Sequence, residues 1–279
     1  MCAMLQAAPM IVRKSKAEID KMRRAGQVVA DVHKELRDKL KPGMSTLELD
    51  RLAEARVRKA GAIPTFKGYY AGKATAFPAT LCVSINEEVV HGIPSPTRIL
   101  QEGDIIAIDC GATLDGYVGD SACTLIVGTT TEEVRLLVER TREALYRGIS
   151  QCFPDNRIGD IGHAVESYAK SFGYGVVEDY CGHGVGRRLH EEPQVPNYGL
   201  PGTGKRMKSG WTIAIEPMIN LGTKDTLELE DSWTVITIDR KPSAHWEHSV
   251  AITDDGPVIL TSRGDDPPGP WIHGVHAMV

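Results

Sequence analysis

One plan occurs twice along this chain of 279 residues, and any fold it adopts must accommodate the repeat. Ser15 and Glu18 form a helix-capping pair, and Ile19, Met22, Val29, Val32 and Leu36 follow at helical spacing. After the turn Lys41-Pro42-Gly43, Ser45 and Glu48 repeat the pair, and Leu49, Leu52, Ala53 and Val57 carry a second helix to Gly61. A third helix is predicted after Thr130, with Glu132 and Glu133 at the positive end of its dipole. A fourth runs from about Arg157 to Phe172. A shift of 112 positions lays Pro42 on Pro154, Leu49 on Ile161, Glu54 on Glu166 and Gly61 on Gly173. Residues 103–109 and 210–216 then share Gly-x-x-Ile-Ala-Ile followed by an acid, and both read as strands ending on Asp109 and Glu216. The same order in both halves predicts an internal duplication, about 15–128 and 129–263, with β-structure central and helices outside. Residues 1–14 read as an N-terminal extension, and 264–279, which lack periodicity, as a flexible C-terminal tail.

Composition narrows the class. With 42% hydrophobic and 25% charged residues the chain can bury a sizeable core, which excludes disorder. A net charge of −5 excludes a protein that grips nucleic acid through its whole surface. The longest uncharged stretches, such as 74–86, fall well short of the ~20 apolar residues that span a bilayer. The first twelve residues are apolar but have no basic segment before them, which argues against a secretory signal. Six cysteines without CxxC spacing indicate neither a disulfide framework nor a thiolate zinc site, so a reducing cytoplasm is expected.

Acids and histidines gather at the ends of the apolar runs. Leu114-Asp115-Gly116-Tyr117 is a two-residue hairpin signal, which sets Asp109 opposite Ala122 and diagonal to Asp120. The two aspartates then share a face, with Cα atoms ~7–8 Å apart, and such a pair on a buried face is costly unless a cation sits between. Solvent-facing aspartates flanking a turn are the bland alternative, and the apolar strand behind Asp109 weighs against it. Residues 180–193 put His183 and His190 among glycines that disfavour a helix and permit close approach of the backbone to a ligand. Glu216, held by Pro217, and Glu247, in an alternating strand over 245–252, supply two more carboxylates, and His91 ends another apolar run.

Several motifs carry nothing. Residues 199–205 match the start of a phosphate loop, but Arg206 stands where a magnesium-binding hydroxyl belongs and no apolar strand precedes it. Neither HExxH nor G-x-S-x-G occurs, and Arg263-Gly264-Asp265, His273 and His276 read as chance.

Residues 82–94, 108–122, 182–199, 214–220 and 246–253, taken in order and spacing, resemble the type I methionine aminopeptidases across most of 16–263. The resemblance implies an α+β pseudo-twofold "pita-bread" fold, with a central antiparallel β-sheet and helices on its outer face. It also implies a site for two divalent metal ions, with Asp109, Asp120, His183, Glu216 and Glu247 as ligands. Four carboxylates and one imidazole suit Co, Mn, Fe or Zn, and their charge balances two such ions. Glu216 would relay the proton of the attacking water, His190 would bond the scissile carbonyl as it becomes an oxyanion, and His91 would contact the leaving amide nitrogen. Phe77, Cys82 and Trp233, with His91 at the rim and His190 beside them, would bind the substrate.

Leu189 stands where many relatives carry an aromatic residue, and Phe77 near a position often held by Tyr, so a slightly reshaped pocket is expected. Substrates would be the N-terminal methionine peptides of nascent chains. A monomer is expected, with neither a specific nucleic acid nor a membrane as partner. Lys205, Arg206 and Lys208 form a small basic loop that offers transient ribosome contact, although a solvated loop is the stronger reading. Competing readings are an Xaa-Pro peptidase of the prolidase kind, and a binding protein of the same fold that has lost its metals.

Overall fold

The computed structural model describes residues 11–271; Cys2, His273 and His276 lie outside them, as does most of the expected N-terminal extension. Four helices form where the caps place them. Helices α1 (Lys16–Lys39) and α2 (Thr46–Lys59) each begin with a reciprocal capping box, Ser15 with Glu18 and Ser45 with Glu48. Thr131 caps α3 (Glu132–Ile149), and at α4 (Ile158–Lys170) the Asp160 carboxylate accepts the Arg157 backbone N–H at 2.7 Å. Each such cap contributes on the order of 1 kcal/mol by satisfying N–H groups that the helix itself leaves unpaired.

In the first half the antiparallel hairpin Ile105–Leu114 and Tyr117–Ile126 turns on Asp115 and Gly116, both with positive φ (51° and 75°), and Leu114 pairs with Tyr117. Asp109 therefore faces Ala122, as the turn requires. The strand does not end on Asp109, as its apolar run suggested, but continues five residues to Leu114. Ladder bonds belong to the backbone, so an acid interrupts the hydrophobic run without interrupting the strand. Leu81–Ile85 pairs with the same strand and sets Cys82 beside Asp109. Helix α1 lies across the hairpin so closely that a Cβ on Gly119 would come within 2.4 Å of the Gly26 backbone nitrogen.

The second half builds a five-stranded sheet in the order Gly256–Ile259, His248–Thr253, Thr212–Ile215, Gly182–Gly184 and Glu191–Val195, with α3 and α4 packed together on its own core. The expected strand over 245–252 is two, Ser243–His245 and His248–Thr253, and residues 243–252 are buried throughout instead of alternating. The break at Trp246 and Glu247 is where this backbone leaves its own sheet: the Glu247 N–H bonds Ala122 C=O at 2.9 Å in the first-half hairpin.

Each half has an apolar core, Val29, Leu36, Leu49, Val83 and Ile106 in the first and Leu145, Ile161, Val165, Ile213 and Val250 in the second. Burying each of these side chains contributes ~1.5–3 kcal/mol. A third cluster, including Met22, Phe66, Phe77, Cys82, Leu189 and Trp233, fills the seam between them. Residues 264–271, read from sequence as the start of a tail, are anchored. Asp265 pairs with Arg37 at 3.0 Å, Asp266 accepts from Tyr146 at 2.5 Å and Trp271 enters the second core. Three prolines and two glycines hide such anchoring because the contacts are nonlocal. Among the described residues no helix is long and apolar enough to cross a membrane.

Candidate metal centre and its cavity

All ten side chains singled out from the sequence, namely Phe77, Cys82, His91, Asp109, Asp120, His183, His190, Glu216, Trp233 and Glu247, line one cavity of about 250 Å³ at the seam. They arrive from six separate segments. Asp109 and Asp120 come from one face of the hairpin. His183 sits in the short strand Gly182–Gly184, Glu216 follows Thr212–Ile215 directly, and Glu247 occupies the break between its two strands.

The glycines around His183 have a structural cause that differs from the expectation. A Cβ on Gly182 would lie 2.3 Å from Ala214 O, and one on Gly184 would lie 2.1 Å from Glu192 O. They allow close approach of neighbouring strands, with protein backbone in the place expected for a ligand.

The hairpin and the second sheet are stitched by side chains that bridge to backbone. Ser121 Oγ donates to Glu247 O at 2.7 Å and Ser249 Oγ donates to Asp120 O at 2.8 Å. Asp120 and Glu247 are thereby fixed face to face. Asp109, Asp120 and His183 sit in strand ladders, Glu216 follows a strand directly and Glu247 lies between two, so the backbone of the fold places all five.

Its electrostatics call for cations. One ligand atom from each of Asp120, His183 and Glu247 falls within 4.8 Å of the others. His183 Nε2 stands 3.5 Å from Glu216 Oε1 and 3.8 Å from Asp120 Oδ2. Asp109 Oδ1, Asp120 Oδ1 and Glu247 Oε1 are buried without a hydrogen bond among the described residues. Burial first, then mutual repulsion, holds the carboxyls of Asp109, Asp120 and Glu247 well above the usual carboxylate range, and burial pushes Glu216 up to about 8. Orphaned acceptor oxygens that repel one another fit divalent ions, which would satisfy the lone pairs and cancel the charge. His183 is held neutral, its value pushed down to about 3 by burial. Its Nδ1 is 3.0 Å from Gly184 O; a carbonyl only accepts, so Nδ1 carries the proton and Nε2 offers a lone pair to the cluster.

Beside the cluster, Phe77 and Trp233 meet edge to face at 5.2 Å, and Cys82 is 5% exposed. His91 takes a left-handed φ of 61°, uncommon outside glycine, and its buried Nδ1 has no hydrogen bond among the described residues. Burial first, then the neighbouring imidazoles, lowers His91 to about 4. His190 lies at the mouth, its ring 4.3 Å from that of His183.

Among the residues around this site that sequence reasoning does not assign to it, two make polar contacts with its assigned members. His245, with Nε2 at 3.5 Å from Glu216 Oε2, reads in sequence only as one strand residue among others, although its place two residues before Glu247 is a signal. Tyr69, whose hydroxyl is 2.6 Å from His190 Nδ1, has no sequence signal, because 121 positions separate the pair.

The sequence profile of metallopeptidase family M24 matches residues 20–254. A curated relative, the methionine aminopeptidase of Clostridium acetobutylicum, is 49% identical over 252 residues, covering 90% of this chain and 99% of that protein. The crystal structure of methionine aminopeptidase from Thermotoga maritima superposes with a TM-score of 0.87 at 44% identity, over 91% of this chain and 100% of the other. The prolidase of Pyrococcus furiosus shares the fold alone, with a TM-score of 0.69 at 24% identity over 90% of this chain and 65% of its own. The chain belongs to metallopeptidase family M24. Within it, the chain belongs with the methionine aminopeptidases and has their pita-bread fold.

Proposed function

We propose that this cleft removes the N-terminal methionine from peptides and nascent chains whose second residue is small, in the cytoplasm. The observation that carries the reading is the junction of two unlike surfaces in one cavity: an apolar pocket of Phe77, Cys82 and Trp233 against a cluster of Asp109, Asp120, His183, Glu216 and Glu247. The five would hold two divalent ions, which supply Lewis acidity and generate a nucleophile from water near neutral pH. The methionine side chain lies against the aromatic rings, where sulfur contacts add ~0.3–1.5 kcal/mol each. His190 donates to the scissile carbonyl as charge develops on its oxygen, and the unpaired nitrogen of His91 meets the leaving amide. Glu216 accepts the proton of water and passes it to the departing amine. Ribosome contact through Lys205, Arg206 and Lys208 would be transient, and the working unit a monomer.

Rates on Met-Ala-Ser, Met-Leu-Ser, Leu-Ala-Ser, acetyl-Met-Ala-Ser and Ala-Pro after metal addition test this. Met-Ala-Ser should be cleaved fastest, with Leu-Ala-Ser ~10–200-fold slower, the discrimination an apolar pocket gives between near-isosteres. Cleavage of the acetylated peptide, equal rates for Met-Ala-Ser and Met-Leu-Ser, or preference for Ala-Pro would overturn it.

A further inference from the structure

His183 and His190 are neighbours with opposite surroundings. The Nδ1 of His183 faces a carbonyl, so its proton is on Nδ1 and its lone pair on Nε2. The Nδ1 of His190 faces the phenol of Tyr69 at 2.6 Å. A phenol is the better donor of the two and a neutral imidazole nitrogen the better acceptor, so the hydroxyl donates and the imidazole proton resides on Nε2. One ring then offers an acceptor to the carboxylate cluster, and the other a donor to whatever occupies the cavity.

Tyr69 is held in place by the loop that bears it. Its N–H bonds Phe66 O at 2.9 Å and its C=O accepts from Phe77 N–H at 2.8 Å, so Tyr69 is tied to the residue that walls the apolar pocket. At the loop tip Lys73 pairs with Glu228 and lies over the Trp233 ring at 6.0 Å, which pins the loop to the far side of the cavity. His190 is exposed at the mouth, its ring packed edge-on against those of His183 at 4.3 Å and Tyr69 at 5.3 Å, and the bond to Tyr69 adds a fixed direction to that packing.

We propose that Tyr69 is a positioning residue, whose hydroxyl donates to His190 Nδ1 and so fixes the His190 tautomer and orientation that present Nε2–H to the substrate carbonyl. This rests on the assignment of His190 as the carbonyl donor, and the test separates the two. In zinc-loaded protein labelled with 15N-histidine, the His190 proton should couple to Nε2, and Nδ1 should show the shift of a hydrogen-bonded acceptor. Tyr69→Phe should move the Nδ1 signal toward that of a free acceptor. It should lower kcat about three- to ten-fold, the worth of one hydrogen bond, with KM for Met-Ala-Ser within about twofold. Placed on His190→Ala, the Tyr69→Phe change should cost nothing further, because the residue it positions is gone. A proton on Nδ1 in the wild type, an unchanged Nδ1 signal in Tyr69→Phe, or full additivity of the two substitutions overturns the role of Tyr69. Wild-type turnover by His190→Ala overturns instead the assignment of His190, whatever the spectra show.

Discussion

The two copies of Gly-x-x-Ile-Ala-Ile-acid meet different fates. In the first half the strand runs on past Asp109, turns at Asp115-Gly116 and returns with Asp120, so one hairpin delivers both acids on one face by local register. In the second half the strand stops at Ile215, Glu216 leaves with Pro217, and the remaining groups, His183 and Glu247, come from two other segments. A hairpin places its side chains through a turn. Three segments are placed only by the sheet that gathers them and by bridges such as Ser121 to Glu247 and Ser249 to Asp120. The duplicated motif supplies an acid at the same point twice, and what surrounds it decides how many further groups come along.

Removing one acid from each half tests whether both serve the same centre. Asp109→Asn and Glu247→Ala should each lower activity by more than about 10³-fold, because a lost ligand forfeits several kcal/mol of charge stabilisation. Metal titration by calorimetry should show weakened or lost binding in both. Wild-type activity with two ions per chain in either variant would remove that half from the centre. His190→Ala, in the second half but outside the cluster, should keep its metal and turn over ~10²–10³-fold more slowly, as expected for loss of an oxyanion donor. Loss of metal by that variant would make His190 a ligand and erase its distinction from His183.

Gly119→Ala probes the packing behind the first-half hairpin. Its Cβ would meet the backbone of α1 at Gly26, and overpacking of this kind costs typically ~1–3 kcal/mol, so a thermal melt should show a lowered midpoint. An unchanged melt would mean that α1 and the hairpin can part without cost. The pH dependence of the metal-free protein checks the electrostatics of the second-half acid. Burial raises Glu216 from 4.5 to about 8, so its protonated form stabilises the fold below pH 4.5, and that contribution is lost as pH rises through about 8. Melts of metal-free protein should therefore fall between pH 5 and 8.5, and added metal should flatten the trend. A rise over this interval contradicts the burial of the cluster. The smallest effect is expected at Lys205→Ala, an exposed residue paired with Glu192 at 2.7 Å, where stability should stay within ~0.5 kcal/mol and tripeptide turnover should be unchanged.

Sequence by itself determined what short-range physics controls. The caps at Ser15 and Ser45 set where two helices begin, and Asp115-Gly116 set the hairpin register that puts Asp109 and Asp120 on one face. Each of these signals lies within a few residues of its effect. The resemblance, carried by motifs over most of the chain, supplied the family and the residue identities now found around one cavity. Tertiary structure alone decided how those residues meet. That Glu247 interrupts a strand to bond the hairpin, that Asp266 and Trp271 tie down a segment rich in proline and glycine, and that Tyr69 reaches His190 are facts about chain segments far apart in sequence. No local pattern encodes them, because their geometry is set by how the two cores and the seam between them close upon one another. The tautomers of His183 and His190 belong to the same category: the two imidazoles are chemically identical in sequence, and only the carbonyl beside one and the phenol beside the other make them different.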